Sequence, residues 1–169
     1  MNDDPSSSIP ALVKQLAERL QAMELMMATA ESCTGGGIAQ HLTALAGSSN
    51  WFDTGFVTYS NAAKQRLLQV PGEILAQDGP GAVSEETVMA MTAGAIANSQ
   101  ARLAVAVSGI AGPDGATPGK PVGTVWIAWQ YDDRALAERF QFDGDREAVR
   151  NATVLEALRG CLKILPAGH

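Results

Sequence analysis

Apolar positions along this chain recur with two different periods, and the switches between the two divide it into helices and strands. Ser8 caps a first helix with Pro10 in its opening turn, and Ile9, Leu12, Val13, Leu16 and Leu20 form its buried stripe. Leu25–Thr29 reads as a short strand. A glycine-rich turn leads from it into a helix over residues 36–46, with Ile38, Leu42 and Leu45 on one face, which Gly47-Ser-Ser-Asn50 stops. Trp51–Tyr59 has the aromatic and β-branched content of a strand. Asn61–Leu68 reads as a helix carrying Lys64 and ended by Pro71-Gly72. Ser84 caps the next helix, whose face of Val88, Met91, Ala95 and smaller residues suits close packing. Leu103–Val107 is a continuous apolar run, as in a strand covered on both faces. Gly123–Gln130 and Ala135–Phe142 form a hairpin across Tyr131-Asp-Asp-Arg134, and Asp145–Leu165 is a long closing helix.

Strands alternating with helices predict an α/β fold, a three-layer α/β/α arrangement. Its sheet should be mixed and mostly parallel, with about five strands including one antiparallel hairpin strand. No internal repeat or second composition appears, so residues 1–169 read as one domain with a flexible tail over residues 1–7. A chain of 169 residues, 46% hydrophobic and 18% charged, can bury a full core without disulfides or metal.

Charge narrows the partners. A net charge of −6 argues against a nucleic-acid binder, which carries a basic footprint, but not against a small phosphorylated ligand held by one or two cations. Cys33 and Cys161 form no Cys-x-x-Cys and no Cys/His cluster, and neither a metal nor any other cofactor is implied. The acidic start, Met-Asn-Asp-Asp-Pro, is unlike a signal peptide, and no apolar run approaches the roughly 20 residues of a membrane span. The expectation is a cytoplasmic protein with no membrane partner. Its oligomeric state stays open, a homo-oligomer included.

Candidate chemistry concentrates in Ala28-Thr-Ala-Glu-Ser-Cys-Thr-Gly-Gly-Gly37. A strand, a turn of small residues and a helix can aim free N–H groups and the helix's positive end at one point. Ser32, Cys33 and Thr34 sit at that point, so the turn either binds an anion or performs acyl chemistry. No G-x-G-x-x-G, Walker loop or Gly-x-Ser-x-Gly is present. Cys33 is intrinsically the better nucleophile but lacks a histidine, since His41 lies about two helical turns away and His169 ends the chain. A serine would need a different base, and lysine is the precedent.

Of the four lysines, Lys14 and Lys163 belong to peripheral helices, and Lys120 lies in the Gly/Pro-rich loop over residues 108–122. Lys64 follows Phe56-Val-Thr-Tyr-Ser-Asn-Ala-Ala and can point inward, although an exposed helix lysine is the commoner fate. Only on the order of one part in a thousand of a free lysine is neutral near pH 7, so a base there requires burial or nearby cations. Arg146 and Arg150, one turn apart at the start of the last helix, read equally as a salt-bridged helix start or as a clamp for phosphate or carboxylate.

Taken together, five segments resemble the C-terminal domain family of the competence/damage-inducible protein CinA. They are Thr29-Ala-Glu-Ser-Cys-Thr-Gly-Gly36, Gly55-Phe-Val-Thr-Tyr-Ser-Asn-Ala-Ala-Lys64, Gly81-Ala-Val-Ser-Glu-Glu-Thr87, Ser108-Gly-Ile-Ala-Gly-Pro-Asp-Gly115 and Gly144-Asp-Arg-Glu-Ala-Val-Arg150. The likeness runs from about residue 10 to 165. Stand-alone members of this family are nicotinamide-nucleotide amidohydrolases, and the expectation is that this chain is of that type, without the second, N-terminal domain of CinA itself.

The resemblance implies hydrolysis of nicotinamide mononucleotide to nicotinate mononucleotide and ammonia, in pyridine nucleotide recycling, with no cofactor. It places the family's serine at Ser32 and its lysine at Lys64, with Tyr59 beside them in the catalytic group. Cys33, Thr34, Gly35 and Gly36 would supply oxyanion N–H groups, while Asn61, Ser108, Gly109, Arg146 and Arg150 would bind substrate. A non-catalytic nucleotide-binding module of the same fold, an amidase with another acyl substrate, and Cys33 as nucleophile remain as alternatives.

Overall fold

The computed structural model describes residues 4–168. Ser8 caps α1 (Ile9–Ala22) by accepting from the Ala11 N–H. There follow β1 (Met27–Glu31), α2 (Gly37–Thr43), β2 (Phe52–Val57), α3 (Asn61–Leu68), the single turn α4 (Gly72–Leu75) and α5 (Glu85–Ala97). The chain ends with β3 (Leu103–Gly109), β4 (Thr124–Tyr131), β5 (Arg134–Gln141) and α6 (Arg146–Ile164). Within the tail, Asp4 caps a 3-10 turn over Pro5–Ser7, so that part is structured; residues 1–3 lie outside the described ones.

The five strands are ordered β2-β1-β3-β4-β5. β1 pairs in parallel with both β2 and β3, and β4 runs antiparallel to both β3 and β5. Four strands therefore share a direction and β4 alone is reversed, which is the mixed sheet with one hairpin strand that the sequence pattern predicts. The pleat sorts side chains onto two unequal faces. Met27, Leu103, Val105, Val107, Val125, Ile127 and Trp129 pack with α1, α2 and α6. Ala28, Ala30, Ala104, Ala106 and Ala128 pack with α5 and the end of α3.

Small side chains on that second face let α5 approach closely. A Cβ at Gly94 would come within 2.0 Å of the Leu68 carbonyl oxygen, so only glycine fits where α5 crosses the end of α3. The helix after β1 thus lies on one face of the sheet, and the helices after β2 lie on the other. Such a divergence opens a crevice beyond the carboxyl ends of the strands, the usual place for a ligand in an open α/β sheet.

Candidate active site

Ser32 follows directly on β1, and its backbone N–H donates to the Val107 carbonyl of β3 at 3.1 Å. Lys64 comes from α3, beyond the end of β2. Ser60 caps that helix by accepting from the Ala63 N–H, which fixes the first turn and directs Lys64 inward. The lysine is 1% exposed, and its Nζ lies 3.0 Å from Ser32 Oγ, 2.9 Å from the Thr58 carbonyl and 3.3 Å from the Tyr59 carbonyl.

No carboxylate pairs with Lys64: among the described residues the ion pairs are Arg102–Asp132 and Arg159–Glu156, both elsewhere. Burial holds the Lys64 ammonium below the ordinary lysine range, opposed only by the Cys33 sulfur. Nζ donates to the two carbonyls and to Ser32 Oγ, and on loss of one proton its lone pair would face the Ser32 hydroxyl.

Cys33 is 6% exposed and belongs to the core cluster that also holds Val107 and Val125. Desolvation pushes its thiol up to about 12, with the nearby Glu31 charge adding to the effect, so a thiolate is strongly disfavoured. No imidazole compensates, because His41 Nδ1 sits 2.7 Å from the Gly37 carbonyl of its own helix.

The glycine turn departs from the expectation that the positive end of α2 faces the cleft. Glu31, fully buried, accepts from the Ile38 N–H at 2.8 Å and the Ala39 N–H at 3.1 Å, so a carboxylate of the chain itself already occupies that helix end. What remains for an oxyanion is the turn. The Gly35 N–H donates to the Ser32 carbonyl and the Gly37 N–H to the Thr34 carbonyl. Among the described residues no acceptor engages the N–H groups of Cys33, Thr34 or Gly36. The turn closes because Gly35 and Gly36 adopt φ of 59° and 102°, a region that side chains disfavour.

Around Ser32 and Lys64 lies a cleft of about 270 Å³, reached by Cys33, Tyr59, Asn61, Ser108, Gly109 and Arg146 among the predicted residues. Thr34, Gly35, Gly36 and Arg150 do not line it. Arg146 donates through Nη1 to the Gly112 carbonyl at 2.8 Å and through Nη2 to Tyr59 Oη at 3.0 Å, bridging the long loop and the segment before α3. Arg150 instead donates to the Thr34 carbonyl at 3.1 Å and faces an adjoining surface depression with Gln40, His41 and Asn151. Arg146 borders that depression too, so of the two adjacent arginines one reaches both hollows and the other only the second.

Sequence reasoning gave no site role to Ala82, Val83, Ile110, Ala111, Gly112, Asp114 and Gly115, which complete the cleft, or to Glu31, which braces the turn. The signal for Glu31 was present, since it is an acid set between a short strand and the small-residue turn. The 108–122 loop supplies one wall through Ser108–Gly115, and Lys120 ties its far end to the Pro80 carbonyl. Among the described residues no three His, Cys, Asp or Glu side chains converge as a metal site would require.

A five-stranded α/β sheet with a buried serine–lysine pair at its carboxyl edge defines the class of this protein. The CinA C-terminal domain model matches residues 10–165, and the chain belongs to that family. It is 57% identical over 156 residues to Nicotinamide-nucleotide amidohydrolase PncC of Pseudomonas putida, covering 92% of this chain and 96% of that one. Against the protein of the same name from Escherichia coli K12 it is 47% identical over 154 residues, covering 90% and 92%. The crystal structure of a CinA superfamily protein from Escherichia coli superposes with a TM-score of 0.91 at 36% identity, covering 98% of this chain and 95% of that one.

Proposed function

We propose that this chain hydrolyses the carboxamide of nicotinamide mononucleotide to nicotinate mononucleotide and ammonia, with Ser32 as nucleophile and Lys64 as general base. The observation that carries the reading is the 3.0 Å contact between Ser32 Oγ and a lysine nitrogen that is buried, unpaired with any carboxylate and biased toward its neutral form. The names of the Pseudomonas putida and Escherichia coli relatives supply the substrate class.

Ser32 Oγ attacks the amide carbon as its proton passes to Lys64 Nζ, and the carbonyl electron pair moves onto oxygen. Free N–H groups of the turn, that of Cys33 foremost, receive this oxyanion. When the pair returns, the C–N bond breaks, and Lys64 gives its proton to the departing nitrogen, which leaves as ammonia. Water then attacks the acyl-serine and releases the nicotinate. Lys64 accepts the water's proton and returns it to Ser32, so each cycle ends with the enzyme unchanged.

Arg146 is the cleft's cation and takes the 5′-phosphate, steadied by Tyr59 Oη and the Gly112 carbonyl. Asn61 and Ser108 supply polar groups around the ring and ribose. On this reading the reaction serves pyridine nucleotide recycling, and the protein works in the cytoplasm. Ammonia release from nicotinamide mononucleotide by wild type and Ser32→Ala tests the reading. Release by wild type and none by the variant is the expected result. Full activity in Ser32→Ala overturns the serine mechanism, and a wild type that binds the nucleotide without releasing ammonia leaves a binding module.

A further inference from the structure

The geometry points to Glu31 and Arg150 as positioning residues that grip Thr34 from two sides and thereby hold the oxyanion turn open. This inference rests on the serine amidohydrolase reading of the same site. Thr34 is 1% exposed, and its Oγ1 donates to Glu31 Oε1 at 2.5 Å. Its carbonyl accepts both the Gly37 N–H at 3.0 Å and Arg150 Nη2 at 3.1 Å. Every polar atom of the residue except its own N–H is therefore committed away from the cleft.

The consequence for the nucleophile follows from peptide planarity. In a trans peptide the C=O and N–H point in opposite directions. The plane between Thr34 and Gly35 is fixed at both ends, its carbonyl by Arg150 and the Gly37 N–H and its own N–H by the Ser32 carbonyl. Drawing the Ser32 carbonyl into the turn leaves the next N–H, that of Cys33, directed out of it, beside the serine that attacks. Glu31 holds the other side, joining Thr34 to the first N–H groups of α2 through one buried carboxylate.

Such a brace has a catalytic reason. Three nearby glycines with two left-handed backbones have several conformations within reach, and an oxyanion hole works only when its donors are oriented before reaction. The Glu31 carboxylate can only accept, and every group facing it is a donor. A carboxamide in its place turns an N–H₂ toward at least one of those donors and releases the turn. Arg150, which lies outside the cleft, acts by holding the Thr34 carbonyl rather than by touching substrate.

The test measures ammonia release from nicotinamide mononucleotide, with thermal melting alongside, for wild type, Ser32→Ala, Glu31→Gln, Thr34→Val, Thr34→Ser and Arg150→Met. Loss of a preformed donor predicts kcat lowered about 10- to 100-fold in Glu31→Gln and Thr34→Val, with KM within about threefold. Arg150→Met lowers kcat in the same manner, and Thr34→Ser, which keeps the hydroxyl, restores it. Should Glu31→Gln fail to fold, the Thr34 pair decides. Folded variants with wild-type kcat overturn the brace. So does an Arg150→Met enzyme that raises KM at unchanged kcat, since Arg150 would then bind substrate. An active Ser32→Ala enzyme identifies a different failure, that of the serine mechanism.

Discussion

Ser32 and Lys64, 32 positions apart in the chain, meet at 3.0 Å in the interior, and two main-chain carbonyls hold the lysine nitrogen in place. Burial without a counter-carboxylate makes the charged lysine unfavourable there. On the proposed reading the pair works as nucleophile and base.

Lys64→Met should abolish turnover, a general base contributing about 10²- to 10⁴-fold, while the variant still binds the nucleotide. In wild type, kcat/KM should rise with pH and level off above a lysine pKa lying below the ordinary 10.5. A pH profile of initial rates checks this, and a flat line through the neutral range excludes Lys64 as base.

The same shift has a thermodynamic counterpart. The unfolded chain keeps an ordinary lysine, so between the lowered native pKa and about 10.5 it binds a proton that the native state refuses. Stability from this group therefore increases with pH through that window. Below the native pKa the full penalty applies, and above about 10.5 it is gone. Melting curves of wild type and Lys64→Met should diverge most, in favour of the variant, at the acidic end and converge toward the alkaline end.

Cys33→Ala tests the thiol alone, because the backbone N–H stays. A buried thiol pushed up to about 12 is a poor nucleophile, so kcat should stay within about threefold of wild type. Alkylating reagents at neutral pH should leave the folded enzyme active. Loss of turnover on either treatment would return the thiol to candidacy.

Arg146→Ala should act on binding. Removing a charge-assisted hydrogen bond costs about 1.5–3 kcal/mol, which corresponds to a KM raised about 10- to 150-fold. Tyr59→Phe, which deletes the hydroxyl that accepts from Arg146, should give a smaller effect in the same direction. Steady-state kinetics of both variants check the assignment.

Gly94→Ala should destabilise the fold by about 1–3 kcal/mol or more, since a methyl group there overlaps the Leu68 carbonyl oxygen. Thermal melting reads this directly. Because α3 carries both Leu68 and Lys64, residual activity in the folded variant reports how far the strain spreads toward the site.

Much of this molecule is written locally. The α3 helix runs over the very residues its pattern predicts, Asn61–Leu68, because the Ser60 cap is a short-range device. Strand limits shift more: β1 is Met27–Glu31 rather than Leu25–Thr29, since pairing with β2 and β3 sets which backbone groups join the ladder. The inward turn of Lys64 ran against the commoner fate of a helix lysine, which is exposure. An exposed helix lysine and a buried one look alike until the neighbouring strand supplies carbonyls to receive it.

The sequence by itself determined the alternation of strands and helices, the small-residue turn and the inventory of nucleophile, amine and guanidinium groups. Those depend on period, capping and composition, which act over a few residues. Only the tertiary structure decided that Glu31 seals the end of α2, that Arg146 reaches the cleft while Arg150 stands behind the turn, and that Ser32 faces a lysine biased toward neutrality. Each of those outcomes depends on burial and on contacts between distant segments, and desolvation and hydrogen-bond geometry exist only once the chain has closed around them.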